Sequence, residues 1–457
     1  MVVWFLDVSA VSTVHSMNEH TRNAQSRKRL LMAGVSAVVL ISLVSLGLFS
    51  IFSSSRLNQR LADLRSRGLP TNAVELNAYY SVPPDVTDTT ELWVAATTAI
   101  KNAGIEQRVA KIPIVGLGPT PVPEPGKEWA ELEISRTFLE ELDGELQHIR
   151  RAADARGMAR YPVDFTLGLN AVLTAIQEVR TVARLLTLRA HVHAHDGEDS
   201  ETFKDVTAIF TVSDSLRGNP IVISQLERIA THAIGCELTG DMLPHCQWTD
   251  EELESLQVAL GRADFRQELR TAFHGELANC LTTLEMTPAI PFRGENKLKA
   301  IELLEEFTDG LGTSWLDATT RHQKIDAELK TISANMISRM KYMSMMQMLP
   351  ALQTAVNAGM RAEARQNCAI VTIAACRHRF QHGTLPNSLT DFKDLIPGDA
   401  SVKSLRLIDP FDGQSLRFKS DNGRVLIYSI GNNKVDEGGD IANERLLEGD
   451  LGYSVAE

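Results

Sequence analysis

An uncharged run of 23 residues near the amino terminus constrains the chain more than any other feature. The run is LLMAGVSAVVLISLVSLGLFSIF, Leu30 to Phe52. As an α-helix it would be about 34 Å long at 1.5 Å per residue, which is enough to span a bilayer core. It is also too long for the apolar part of a signal peptide. The sequence therefore predicts one transmembrane helix at residues 30–52, with the lipid bilayer as a partner.

The charges that flank this run bear on its orientation. Arg27, Lys28 and Arg29 directly precede it, and four arginines and one aspartate lie in the stretch 53–67. The two flanks carry similar numbers of basic residues, so the predicted orientation depends on the basic triplet and on the short amino-terminal side. These favour a cytoplasmic tail at residues 1–29 and an extracytoplasmic bulk. The chain is thus predicted to be a single-pass protein of the bacterial inner membrane, with a stalk at residues 53–80.

Composition narrows the class of function. The chain is 44% hydrophobic and has a formal net charge of -12. Nucleic-acid binding depends on basic side chains that neutralise phosphates, so this balance argues against a nucleic-acid partner. The common signatures of hydrolases, zinc proteases, nucleotide-binding enzymes and EF-hands are missing from the sequence. These observations favour a structural or protein-interaction role over catalysis.

Helical patterns dominate residues 81–348, which we predict to form one helical domain. A stretch with several prolines at residues 113–125 forbids helix and is predicted to be an extended connection. After it, apolar residues recur at helical spacing from Leu169 to Ala190. The polar DGEDS turn then leads into a second helix, so an αα-hairpin is expected, with a third helix at residues 221–243 packed on it.

A histidine cluster at the end of the first of these helices is the best enzyme-like feature. His191 and His195 are one helical turn apart, and Asp196 follows, so the three side chains are candidate ligands of one metal ion. His193 is expected to continue the apolar stripe. The alternative function is therefore an extracytoplasmic metal-dependent enzyme. A plainer interpretation is that these histidines stabilise the carboxyl end of a helix and contact no metal.

The last part of the chain, residues 349–457, is predicted to be a small α+β module. A helix that runs to about Gln381 is followed by a turn and by two strands around Asn422-Gly423, a strong hairpin signal. This register pairs Phe418 with Ile427 and Arg417 with Tyr428. The predicted fold class is therefore mainly α, with a transmembrane helix, a multi-helix body and a module that contains an antiparallel hairpin.

Three motifs of this module resemble one protein family. They are HGTLPNSLTDF, DPFDGQSLRF and YSIGNNKVDEGGDI, and their order is similar to that in the periplasmic domain of the type II secretion major pseudopilin. The matching positions are Asp409, Pro410, Gly413, Ser429, Gly431, Gly438, Gly439, Asp440 and Ile441. The resemblance implies a surface-exposed assembly domain and a protein partner in the cell envelope.

The same resemblance implies a calcium ion in the closing loop. The positions that carry it over are Ser429, Asn433, Asp436 and Asp440. Asn433 stands where the family has aspartate, and Lys434 stands where it has glycine. Oxygen ligands remain numerous enough for six-fold coordination. Calcium is thus the expected cofactor.

Overall fold

The computed structural model of the chain describes residues 54–171, 175–286, 293–421, 423–441 and 449–456. The chain divides into two units. In the first, Met1–Asp63, residues 54–63 are helical. The second, Leu64–Glu457, is compact and contains every element described below.

Helices make up most of the second unit, and strands follow near its end. The helices are α1 (Ala73–Tyr79), α2 (Thr90–Asn102), α3 (Leu132–Glu140), α4 (Asp143–Asp154), α5 (Ile176–Asp196), α6 (Asp199–Asp214), α7 (Val222–Met242), α8 (Asp250–Gly261), α9 (Phe265–Met286), α10 (Arg293–Thr313), α11 (Trp315–Ala334), α12 (Met336–Lys341), α13 (Met343–His382) and α14 (Ala400–Arg406). Short 3-10 turns lie at Ile105–Gln107, Phe165–Asn170, Leu389–Asp391 and Lys393–Leu395. The strands are β1 (Arg417–Asp421), β2 (Arg424–Ser429) and β3 (Leu451–Ala456).

No helix of these described ranges is long and apolar enough to cross a membrane. This corrects the predicted fold class. The fold is mainly α with a small antiparallel sheet. The predicted span, Leu30–Phe52, and the predicted tail at residues 1–29 lie outside the described residues.

The predicted αα-hairpin is confirmed by α5 and α6. Gly197 ends α5 with a φ of 74°, a left-handed conformation that favours glycine. The backbone nitrogen of Glu198 then bonds the carbonyl oxygen of His193 at 2.8 Å, which closes the turn. Helix α7 packs against both members of the pair, as the sequence predicted.

The start of α5 differs from the prediction. The apolar stripe placed helix from Leu169 onwards, but α5 begins at Ile176. Gly168 has φ 57° and ψ -127°, which breaks any helix there. A side chain at this position would meet the hydroxyl of Thr283 at 2.3 Å, so close packing against α9 requires the glycine.

The sheet is antiparallel in the order β1-β2-β3. Phe418 lies opposite Ile427 and Arg417 lies opposite Tyr428, so the predicted hairpin register is confirmed. Asn422 of the predicted turn lies outside the described residues, and Gly423 has a φ of 71°. Strand β3, which pairs with the other edge of β2, was not predicted.

One hydrophobic core joins the helical body to this sheet. Val425 of β2 and Val455 of β3 belong to the same buried cluster as Leu256 of α8 and Ile370 of α13. The side-chain nitrogen of Gln257 donates to the carbonyl oxygen of Ile370 at 2.9 Å, which links α8 to α13 in the interior. The predicted boundary between residues 348 and 349 falls inside α13.

Candidate functional site

The histidine cluster lies at the end of α5, largely inside the protein. The Nδ1 of His195 is 2.8 Å from the carbonyl oxygen of His191. Because a carbonyl oxygen only accepts, Nδ1 donates this bond. The ring of His195 packs against Trp129, with centroids 4.9 Å apart. Asp196, the third predicted ligand, instead pairs with Arg136 at 2.7 Å. The carboxylate is therefore engaged by a guanidinium.

His193 does not continue the apolar stripe, in contrast to the prediction. Its Nδ1 lies 2.9 Å from a carboxylate oxygen of Asp205, and Asp205 also accepts a bond from the Nε of Arg189 at 2.8 Å. Asp205 is buried. The three side chains form an ionic cluster that joins α5 to α6. The signal in the sequence was an aspartate on the otherwise apolar face of α6.

A cleft of about 650 Å³ opens beside His191. Residues 120–125, from the stretch with several prolines, line one side of it. Helix α5 contributes Arg184, Thr187 and His191 to the opposite side, and α7 contributes Ile234 among others. The stretch that the sequence presented as a plain connection therefore shapes the cleft together with two core helices.

His191 gives this cleft an unusual polar group. The side chain is 8% exposed, and its Nδ1 is buried with no hydrogen-bond partner among the described residues. Burial, together with nearby His195, lowers the pKa of His191 to about 4. The imidazole is thus neutral near pH 7. A neutral ring with an unsatisfied nitrogen favours a ligand that can form a hydrogen bond with it, as donor or as acceptor.

Charged side chains surround the cleft and are mostly acidic. The lining includes three carboxylates, Glu124, Glu237 and Asp241, and the guanidinium of Arg184. Glu237 is also 3.5 Å from Arg365. Glu124 also pairs with Lys127 at 2.6 Å. The lining itself carries three carboxylates and one guanidinium, so its own formal charge is negative.

A second cleft of about 500 Å³ adjoins the first, and the two share Pro244 and His245. The lining of the second cleft includes the aromatic side chains Trp248 and Phe380, together with polar groups such as Gln247 and Arg379. Phe380 is 63% exposed, which is unusual for a large aromatic side chain. Together the two clefts form a groove with an acidic part and an aromatic part.

The residues predicted to hold calcium are partly separated in the structure. Ser429 is buried and donates its hydroxyl to Asp409 at 2.9 Å, so it faces the interior. Asn433 donates to Glu437 at 2.6 Å. Asp436 accepts a bond from Tyr428 at 3.1 Å.

Asp440, the fourth of these residues, follows the bend made by Gly438 and Gly439 and is exposed. Across the described ranges, no group of three or more histidine, cysteine, aspartate or glutamate side chains is placed to hold a metal ion. The four predicted ligands therefore do not form a ready-made site.

Asp450 was missed by the sequence analysis and lies beside this loop. One of its carboxylate oxygens accepts a bond from the Gly439 nitrogen at 2.7 Å. The other oxygen is buried without a hydrogen-bond partner among the described residues. Burial, together with Glu437 and Asp436, raises the pKa of Asp450 to about 6. Asp450 comes near Asp436 and Glu437 only because β3 pairs with β2, and the sequence contains no signal for that pairing.

No family model, curated protein or solved structure matches this chain.

Proposed function

We propose that this protein has a structural, protein-interaction role and that it binds an extended segment of a partner protein in the groove described above. The observation that carries the proposal is the cleft between the proline-containing stretch and helices α5 and α7, with the unpartnered Nδ1 of His191 buried in its wall. A partner segment can form a hydrogen bond with that nitrogen, which relieves the cost of a buried unsatisfied group.

The chemistry of the groove specifies the partner segment. Glu124, Glu237 and Asp241 favour lysine or arginine side chains at one end. Trp248 and Phe380 favour an apolar side chain at the other. Two adjoining clefts of about 650 and 500 Å³ suit an extended peptide better than one compact small molecule. The resemblance of the module at residues 349–457 to an assembly domain supports a partner in the cell envelope.

Two isoleucines of α7 provide a matched test. Ile234 lines the cleft, whereas Ile223 is 52% exposed outside it. We expect Ile234→Arg to abolish co-purification of the native partner, because the guanidinium fills the cleft and repels a basic segment. Ile223→Arg adds the same charge to the same helix and should leave co-purification unchanged.

Thermal melts of both variants establish that the fold is retained. Equal partner recovery with Ile234→Arg and with the parent chain would overturn the proposal. Equal loss with both arginine variants would place the interaction elsewhere and would overturn it too.

We propose as a second function that calcium closes the loop at the end of the sheet, and the unsatisfied oxygen of Asp450 favours this. Asp436 and Glu437 lie near enough to Asp450 to raise its pKa, and their carboxylate oxygens are the ligands that calcium prefers. The three side chains are not placed to hold an ion as they stand, so calcium binding would draw Asp436 and Glu437 towards Asp450 and the bend at Gly439. A divalent ion there would offset the mutual repulsion of these carboxylates. Ser429 does not take part in this set, since its hydroxyl binds Asp409.

Thermal melts of the full chain with calcium and with chelator test the second proposal. Calcium at a hundredfold excess over its dissociation constant should stabilise the parent chain by about 2.7 kcal/mol. The Asp450→Asn variant should show no calcium effect, and it should be more stable than the parent in chelator because a repelled charge is gone. Asp421→Asn, on the same sheet, is the control and should respond to calcium like the parent. An unchanged calcium response in Asp450→Asn contradicts the proposal.

A further inference from the structure

A second pair of histidines lies on the surface, at the carboxyl end of the long helix α13. His378 and His382 are one helical turn apart, and both are at least partly exposed. Their rings are stacked, with centroids 4.3 Å apart and an angle of 19° between the planes. Helical spacing of four residues places two side chains on one face, so the contact follows from the H-x-x-x-H pattern of the sequence.

Hydrogen bonds to the backbone fix the tautomer of both rings. The Nδ1 of His378 lies 3.1 Å from the carbonyl oxygen of Thr384, and the Nδ1 of His382 lies 3.1 Å from the carbonyl oxygen of His378. A carbonyl oxygen can only accept, so each Nδ1 carries a proton and donates it. In each neutral ring the lone pair is then on Nε2. This is the arrangement by which proteins orient histidine as a metal ligand.

The charges around the pair are compatible with a bound cation. Hydrogen bonds from Ser388 and Asn387 lower the pKa of Asp391, and His378 lowers it further. The carboxylate of Asp391 is therefore near the pair. Arg379, the neighbour in sequence, directs its guanidinium to the carbonyl oxygen of Ala456. The guanidinium of Arg379 is therefore held by the end of β3.

We propose that His378 and His382 bind one divalent transition-metal ion of the zinc, copper or nickel class through their two Nε2 atoms. Imidazole nitrogen suits these ions, and calcium and magnesium prefer oxygen. Two nitrogen ligands at tetrahedral zinc are roughly 3.3 Å apart. A metal ion lies in the plane of each imidazole that binds it, so the two rings, which are stacked at 19°, must turn out of the stack before both Nε2 atoms reach one ion. Water fills the remaining coordination positions.

This pair differs from His191 and His195 in access to solvent. His191 is buried, and His195 packs beneath Trp129, whereas the pair on α13 can exchange ligands with solvent. In the sequence the earlier cluster is more conspicuous, because three histidines lie within five residues there. The pattern at 378–382 is equally regular, and its tautomers are visible only once the fold places Thr384 beside the helix end.

Isothermal titration of the full chain, prepared without a histidine tag, with Zn²⁺ and Ni²⁺ tests the proposal. We expect one ion per chain with the parent. His378→Ala and His382→Ala should each weaken binding at least about tenfold, since even the loss of a partner that only orients a ligand costs roughly 10–100-fold. His148→Ala is the control, because the Nδ1 of His148 faces Arg151 at 3.3 Å and that ring has no histidine one turn away.

Melting curves give a second readout. The ion should raise the melting temperature of the parent and of the His148→Ala variant, and it should leave both variants of the pair unchanged. Binding that persists at full strength after His378→Ala and His382→Ala would overturn the proposal, as would the absence of binding by the parent chain.

Discussion

Arg377 joins the carboxyl-terminal part of the chain to the helical body, and its removal should weaken the whole second unit. Its side chain is 7% exposed and lies on α13. It donates two bonds to Asp250 at 2.8 and 3.2 Å and one to Glu254 at 2.9 Å, all on α8. It also donates to Gln257 at 3.1 Å and to the carbonyl oxygen of Leu395 at 3.2 Å. One guanidinium thus connects three elements.

The expected loss of stability in Arg377→Ala depends on how exposed the two carboxylate partners are. Loss of one member of a buried ion pair costs about 3–5 kcal/mol. Here Asp250 is 21% exposed and Glu254 is 56% exposed, so water can solvate part of the charge that is left. We therefore expect Arg377→Ala to cost about 3 kcal/mol, at the lower end of that range. In a unit on the order of 400 residues this lowers the melting temperature by roughly 4 °C.

Thermal melts at several pH values check the expectation. Hydrogen bonds from Arg377 hold the pKa of Asp250 below its usual value, so the stabilisation is fully present above the ordinary pKa of an aspartate. It is lost as the pH falls through the lowered pKa. The gap between the parent and Arg377→Ala should therefore be constant from pH 6 to 8 by this argument and narrow below about pH 4.

Arg150 provides the control for this prediction. It is 53% exposed and lies 3.6 Å from Glu201, and surface pairs of this kind contribute at most about 1 kcal/mol. Equal melting temperatures for Arg377→Ala and Arg150→Ala would contradict this prediction. They would show that the five hydrogen bonds of Arg377 do not stabilise the contact between α13 and α8.

Two further predictions concern the interior of α9. Burial raises the pKa of Glu276 to about 7, while its carboxylate oxygen accepts a bond from the Val222 nitrogen at 2.9 Å. The fold therefore favours the protonated acid, and the parent should lose up to about 3 kcal/mol as the pH rises from about 4.5 to 7. Glu276→Gln should show no such loss in chemical denaturation. A Cβ at Gly275 would lie 1.9 Å from the carbonyl oxygen of Pro220, so Gly275→Ala should cost about 3 kcal/mol or more. Gly144→Ala has open space and should stabilise by roughly 0.5–1 kcal/mol, and equal melts for the two alanine variants would contradict the packing argument.

The sequence was most informative where local chemistry decides the structure. The Asn422-Gly423 pair specified the register of β1 and β2 because a two-residue turn allows few strand pairings. The DGEDS turn likewise specified the α5–α6 hairpin. Strand β3 was missed because LGYSVA carries no turn signal that relates it to β2, and its pairing is a long-range event.

The candidate sites were harder to predict for the same reason. The cleft beside His191 depends on a stretch some seventy residues earlier in the chain, which nothing in the local pattern relates to α5. Asp450 meets Gly439 only because β3 returns along the sheet. His191 and His195 do lie one turn apart on α5, as their spacing predicted. The ring of His195 is nevertheless held by the carbonyl oxygen of His191 and by Trp129. Partners of that kind are supplied by packing and not by sequence spacing.

Site-specific photo-crosslinking in the native host tests the proposed interaction most directly. A photoreactive amino acid is placed at Ile234, in the cleft, or at Ile223, on the same helix outside it. We expect one discrete adduct with a partner protein from Ile234 and none from Ile223. Mass spectrometry of the adduct should identify a segment that carries lysine or arginine. Identical adducts from both positions, or no adduct from Ile234, would contradict the conclusion that this groove binds a partner.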